Sequence, residues 1–90
     1  MLEEVKSYLA ITWEDDDIDA KLVRMIEESK AAITSLMGGE ADFESNREMR
    51  ELLKNRVRYA YNNSLEYFAD NFAETVLRLQ LLAGVEKIEK

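Results

Sequence analysis

The chain has no cysteine, no histidine and no proline, and only three glycines among its 90 residues. Without cysteine there is no disulfide to staple the fold and no thiolate to bind a metal or attack a carbonyl. Without histidine, the side chain that most often serves as general base or neutral metal ligand near pH 7 is missing. Without proline, few positions force the backbone out of a helix, and Gly38-Gly39 is the one strong breaker. Long apolar runs are scarce too: none approaches the ~20 residues a membrane span needs. Met1-Leu2-Glu3-Glu4-Val5 also lacks the basic and apolar regions of a signal peptide. The expectation is a protein made in the cytoplasm, with no membrane partner.

Positive charge is the last shortage. Lys and Arg total 12 against 19 Asp and Glu, a formal net charge of -7. That balance disfavours a sequence-independent grip on DNA or on an anionic membrane. A chain this short makes one domain and buries only ~60–65% of the surface its unfolded form exposes. The reading is a single helical domain over 1–90, with 86–90 as a short polar C-terminal tail.

What is present is helical periodicity. Leu2, Val5 and Leu9 lie on one side of a short helix over about Leu2 to Ala10, and Ile11 and Trp13 are placed to pack as the chain turns. The acidic run Glu14-Asp15-Asp16-Asp17-Ile18-Asp19 marks a helix start, because carboxylates cap free N–H groups and oppose the positive end of the helix dipole. Leu22, Met25, Ile26, Ser29, Ile33 and Leu36 then recur at steps of three and four, predicting a helix from about Asp17 to Met37 that Gly38 stops in the left-handed conformation. Phe43 is expected to anchor the following loop to the core. Ser45 and Glu48 carry capping-box spacing ahead of a third helix over about Asn46 to Asp70. Its stripe is Met49, Leu52, Leu53, Val57, Ala60, Ser64 and Phe68, with Arg47, Lys54 and Arg58 opposite. Asn71 and Glu74 repeat the capping spacing, and a fourth helix is predicted from near Phe72 to Gly84. The fold class is therefore all-α: a small bundle of about four helices, two of them long and antiparallel, with short N- and C-terminal helices.

Two features of that pattern reach beyond the core. Phe72, Val76, Leu79 and Ala83 form one stripe of the last helix while Leu77 and Leu81 lie on another, and the surplus face suits a partner subunit. Arg56 falls among Met49, Leu52 and Ala60 on the apolar side, where an unpaired guanidinium is costly. It is expected to have a carboxylate partner or to lie at a subunit boundary.

Catalytic and metal chemistry find little support. Asp15, Asp17 and Asp19 match the first three ligand positions of a calcium loop, but the required glycine position is Ala20 and the bidentate glutamate position is Ile26. Glu27, Glu28, Glu40 and Asp42 sit in polar segments that do not perturb a carboxylate for acid–base work. No phosphate loop, Ser-His-Asp set or zinc spacing can be assembled. The residues give no catalytic, metal or cofactor site. Tyr8, Tyr59, Tyr61 and Tyr67 could stack bases, but tyrosines at helical spacing more often anchor cores and interfaces. Arg47, Arg50, Lys54, Arg56 and Arg58 could form a nucleic-acid helix, yet Glu48 and Glu51 interrupt the set.

The order of elements carries one resemblance. A short helix, the turn Trp13-Glu14-Asp15-Asp16-Asp17, a long helix to Gly38, a loop, a long helix through Val57-Arg58-Tyr59-Ala60-Tyr61-Asn62-Asn63, then Phe68, Asn71-Phe72 and Leu77-Arg78-Leu79-Gln80 follow in sequence. This resembles the small head-tail connector (adaptor) proteins of tailed bacteriophages, over about Leu2 to Val85. The resemblance implies a structural virion protein at the head-tail junction, assembled as a homo-oligomeric ring, dodecameric in the virion, under the portal protein. Such a ring extends the DNA channel, lets DNA pass without specific binding, and docks the next connector, a stopper or a tail protein. The C-terminal segment would reach toward the portal. A ring needs two different patches that meet across each boundary. The residues offered are Leu77 and Leu81, the basic Arg47, Lys54 and Arg58, the acidic Asp15, Asp16 and Asp17, and Arg56. The alternative is a helical regulator or antitoxin-like module that binds a partner protein or DNA. The acidic second helix and the long Gly38 to Glu44 linker disfavour a helix-turn-helix.

Overall fold

A computed structural model of the chain describes residues 1–89, with side chains described for residues 1–83. All regular structure among them is helical: α1 Leu2–Tyr8, α2 Asp16–Leu36, α3 Arg47–Tyr61, a 3-10 turn Leu65–Tyr67, α4 Phe68–Asn71 and α5 Ala73–Glu89. None of these helices is long and apolar enough to cross a membrane.

The centre of the molecule is an antiparallel hairpin of α2 and α3. Asp15 starts α2 as expected: in extended backbone, its side chain accepts from the amides of Asp17 at 2.9 Å and Ile18 at 3.2 Å. Gly38 stops it at φ +85°. The Gly39 amide donates to the Thr34 carbonyl and the Gly38 amide to that of Ser35, which ties off the last free carbonyls. Leu22, Ile26, Ser29 and Ile33 of α2 bury against Met49, Leu52, Leu53 and Val57 of α3. The direction follows from the ends. Lys21, early in α2, sits 5.7 Å over the ring of Tyr61 at the end of α3.

Helix α1 lies along one side of this hairpin. Val5 is fully buried, the Lys6 ammonium stands 2.9 Å from Asp19, and the Tyr8 hydroxyl donates to Asn55 at 2.7 Å. Helix α5 flanks another side, through Arg78 paired with Glu48, the Gln80 amide donating to the Leu36 carbonyl at 2.9 Å, and the buried Leu79. On the α3 wheel, the residues meeting α1 (Arg50, Lys54, Arg58) are centred roughly 130° from those on the α5 side (Glu48, Tyr59), taking ~100° per residue. The loop between α2 and α3 is held down as predicted, with Phe43 packed on the core. Arg50 fixes it by donating to the carbonyls of Phe43 and Glu44, both at 2.9 Å.

Several expectations are corrected. Trp13 is not core: it is 52% exposed, because a left-handed Ala10 at φ +59° ends α1 at Tyr8 and turns Ile11, not Trp13, inward. The third helix does not continue to Asp70. Asn63 at φ +56° breaks it after Tyr61, and the Ser64 amide donates to the Tyr59 carbonyl at 2.8 Å. The chain then folds back, so that Phe68 and Phe72 stack at 5.0 Å and both meet Tyr59 edge-on. The α3 cap is Asn46, accepting from the Met49 amide at 3.1 Å, one residue beyond the expected Ser45. Asp42 instead organises the preceding turn by accepting from the amides of Glu44 and Ser45. Asn71 ends α4 and donates to the Tyr59 hydroxyl at 2.9 Å. Helix α5 does not stop at Gly84 but runs to Glu89, so the expected tail over 86–90 is helical as far as it is described; Lys90 lies outside the described residues.

Candidate functional site

The two sides of α5 do different work. Leu79 is buried, with Phe72 and Val76 packed on the core beside it. Leu77 and Leu81, a quarter-turn or more away, point outward at 56% and 63% exposure, and Leu82 joins them at 50%. With Glu74 and Arg78 these leucines line a shallow trough of about 310 Å³. The sequence-predicted pair is thus brought together on one surface. Leu82 was missed because its position, one residue after Leu81, reads as the edge of either stripe.

The expected basic face, Arg47, Lys54 and Arg58, lies on one side of α3, and helix α1 packs against that side. The Lys54 ammonium bonds Glu51 at 2.9 Å and, like the Arg58 guanidinium, lies 5.7 Å from the centre of the Tyr8 ring. Arg50 is committed to the loop carbonyls and stands 3.8 Å from Glu4. Arg47 is exposed. Helix α1 therefore engages Arg50, Lys54 and Arg58, while Arg47 and Arg58 remain exposed.

Arg56 lacks the expected carboxylate partner among the described residues. Its Nη1 donates to the buried Ser29 hydroxyl at 2.8 Å. Burial holds its pKa below the ordinary arginine value, and the negative charge of Glu28 opposes that shift. Arg56 is only partly buried, which lessens the cost of lacking a carboxylate partner. The least exposed ion pair among the described residues is elsewhere: Asp19 holds Lys6, chiefly by hydrogen bonding, and raises its pKa. The signal was available, since Leu2, Val5, Lys6 and Leu9 follow the same three-and-four spacing that singled out Arg56.

The acidic candidates divide as well. Asp15 spends its side chain capping α2, whereas Asp16 and Asp17 stand exposed beside Glu14 and Trp13. No group of three or more metal-binding side chains gathers among the described residues. A second depression, of about 550 Å³, runs along the end of α3 past Arg58, Asn62, Tyr67 and Asn71, where no periodicity or motif in the chain pointed. Comparison with protein-family models, with curated proteins and with solved structures gave no match.

Proposed function

We propose that this chain is a structural assembly subunit, and that the assembly is a head-tail connector ring of a tailed bacteriophage. In this reading the all-helical domain is the ring's building block. It sits beneath the portal protein, extends the DNA channel and presents a surface to the next connector, a stopper or a tail protein. The observation that carries the reading is the outward leucine surface of α5, three large apolar side chains each at least half exposed on a helix whose opposite side already serves the core. Scattered surface leucines need no explanation, but a contiguous group on one helix favours a partner. Two further features support it. The net charge of -7 suits a channel wall past which DNA slides without sticking, and the α3 cations are largely occupied within the molecule, which favours the connector over a DNA-binding regulator.

The test is sizing by light scattering, alone and with a portal protein, for wild type and for Leu77→Asp. The expected result is a concentration- or portal-dependent oligomer that Leu77→Asp abolishes. A strictly monomeric wild type that ignores portal refutes the reading. A salt-dependent gel shift of duplex DNA at micromolar protein would promote the regulator instead.

A further inference from the structure

The polar depression at the end of α3 gathers residues that the assembly reading does not use. Three of the chain's five asparagines line it, Asn55, Asn62 and Asn71, together with Tyr59, Tyr67 and Arg58. Tyr8 braces its wall by bonding Asn55, so three of the four tyrosines converge here. Arg58 is the one charged side chain in the lining, although 34% of the chain is charged. The asparagines are held in place. Asn55 and Asn62 donate Nδ2 to the carbonyls of Glu51 at 2.9 Å and Arg58 at 3.0 Å. A carbonyl only accepts, so the amide nitrogen must face it and Oδ1 must turn away. Asn55 Oδ1 takes the Tyr8 hydroxyl, while Asn62 Oδ1 has no donor among the described residues. Asn71 Nδ2 donates to the Tyr59 hydroxyl, which keeps its own proton to donate.

Such a lining suits a ligand whose polar atoms both give and take hydrogen bonds. A hydroxyl does so, with one donor and two acceptor lone pairs on a single oxygen. Ligand hydroxyls can donate to Asn62 Oδ1 and accept from the Tyr59 hydroxyl and from Arg58, which meets only the Tyr8 ring among the described residues. Tyr67, 58% exposed, offers a ring face to the apolar C–H side of a sugar. An anion fits less well. One cation stands against a net charge of -7, and the exposed Glu66 and Asp70 adjoin Tyr67 and Asn71 in the chain. A purely apolar ligand would strip water from the amides and the guanidinium and give nothing back. The volume, about 550 Å³, is that of a small-molecule site. We propose that the depression binds a neutral pyranose, with Tyr67 stacked on the sugar ring and Arg58, Tyr59 and Asn62 bonding its hydroxyls. The site is separate from the leucine surface of α5 and does not rest on the assembly reading.

The experiment is an NMR titration of the full chain with methyl glucoside, methyl galactoside and methyl mannoside, read at the side-chain amides of Asn55, Asn62 and Asn71. At least one glycoside should shift these signals saturably, half-complete at about 1 mM, the weak affinity of a small ligand on an open site. Tyr67→Ala should weaken that binding about tenfold by removing the stacking face, and Tyr67→Phe should retain it. Asn62→Ala should also weaken it about tenfold, by removing an acceptor. Both positions are exposed, and circular dichroism checks that the variants keep the helical fold. For the glycoside that binds, the matching disaccharide separates two sources of a pyranose, since a glycan end retains binding and a free sugar does not. Leu77→Asp should leave the titration unchanged whether or not wild type assembles, so the two readings fail separately. The proposal is overturned if no glycoside shifts the signals up to about 100 mM, roughly a hundredfold above the expected midpoint, or if Tyr67→Ala binds as well as wild type. It is overturned equally if adenosine monophosphate moves the same signals at lower concentration than every glycoside, because the site would then select an anion.

Discussion

Helices α2 and α5 invite comparison because both are long, 21 and 17 residues, and both carry leucine or isoleucine at helical spacing. In α2 the spacing resolves into one stripe, with Leu22, Ile26, Ser29 and Ile33 buried and both ends closed by named hydrogen bonds. In α5 it resolves into two, and among residues 73–83 only Leu79 is buried. The same apolar content thus stabilises a fold in one place and leaves a surface in the other. What separates them is how many sides of the helix the rest of the chain can reach. Most of the buried core comes from α1, α2 and α3, and α5 adds only Leu79 to it among its described side chains.

The sharpest way to break this contrast is to truncate both helices. Ile33→Ala should cost ~2–5 kcal/mol in urea denaturation, because Ile33 is fully buried in the hairpin and leaves a cavity. Leu77→Ala should change monomer stability by less than ~0.5 kcal/mol. Equal costs would mean that the outward side of α5 is packed in solution.

Leu79→Ala separates docking from core. It should lower global stability by about 2 kcal/mol, toward the lower end for buried leucine, because one flank of the site opens toward solvent as α5 loosens. Hydrogen exchange should then quicken throughout α5 while α2 and α3 remain protected. Uniform loss of protection would make α5 part of the core.

The helix ends give smaller, opposite effects. Asp15→Ala removes the α2 cap and should cost ~1 kcal/mol. Ala10→Gly should gain about 0.5–1 kcal/mol by relieving a left-handed residue that carries a Cβ. Both are read as shifts in thermal midpoint, and both should leave assembly unchanged.

The mildest test is pH. Hydrogen bonds from the Ser45 and Glu44 amides hold Asp42 below the ordinary carboxylate range. Its contribution is therefore complete above the unfolded pKa near ~3.9 and is lost as pH falls through the lowered folded value. Lys6 runs the other way: Asp19 raises its pKa, so its contribution holds below ~10.4 and is lost as pH climbs through the raised value. Asp42→Asn should flatten the acid limb of the stability curve and Lys6→Met the alkaline limb. An unchanged profile in either variant would show that the pairing does not persist in solution.

Much of the hairpin was legible beforehand. An acidic start, one unbroken stripe and Gly38 located α2 to within a residue at each end, because cap, period and stop all agreed. Helix α3 was overrun because its stripe continues in register to Phe68, and nothing in the composition of Asn62-Asn63-Ser64 forces a break. Gly84 misled in the opposite sense: a glycine inside a helix costs only ~1 kcal/mol relative to alanine, and α5 tolerates it. Trp13 was misplaced because burial of apolar residues is a one-way rule. Of the candidate site, Leu77 and Leu81 were readable from their angle on the wheel. That α1 packs against the basic set was not, since it depends on where the side chain of Tyr8 at the end of α1 comes to rest.

The left-handed stops at Ala10, Gly38 and Asn63 also bear on the speed of folding. Each reverses or redirects the chain with hydrogen bonds spanning only three to five residues, as from Gly39 to Thr34 and from Ser64 to Tyr59. Such reversals form without first closing a long loop, and low sequence separation of contacts is what lets helical domains fold in microseconds to milliseconds. With no proline in the chain, no X-Pro isomerisation is available to add a phase of tens of seconds. A stopped-flow refolding trace should accordingly be complete within the first second.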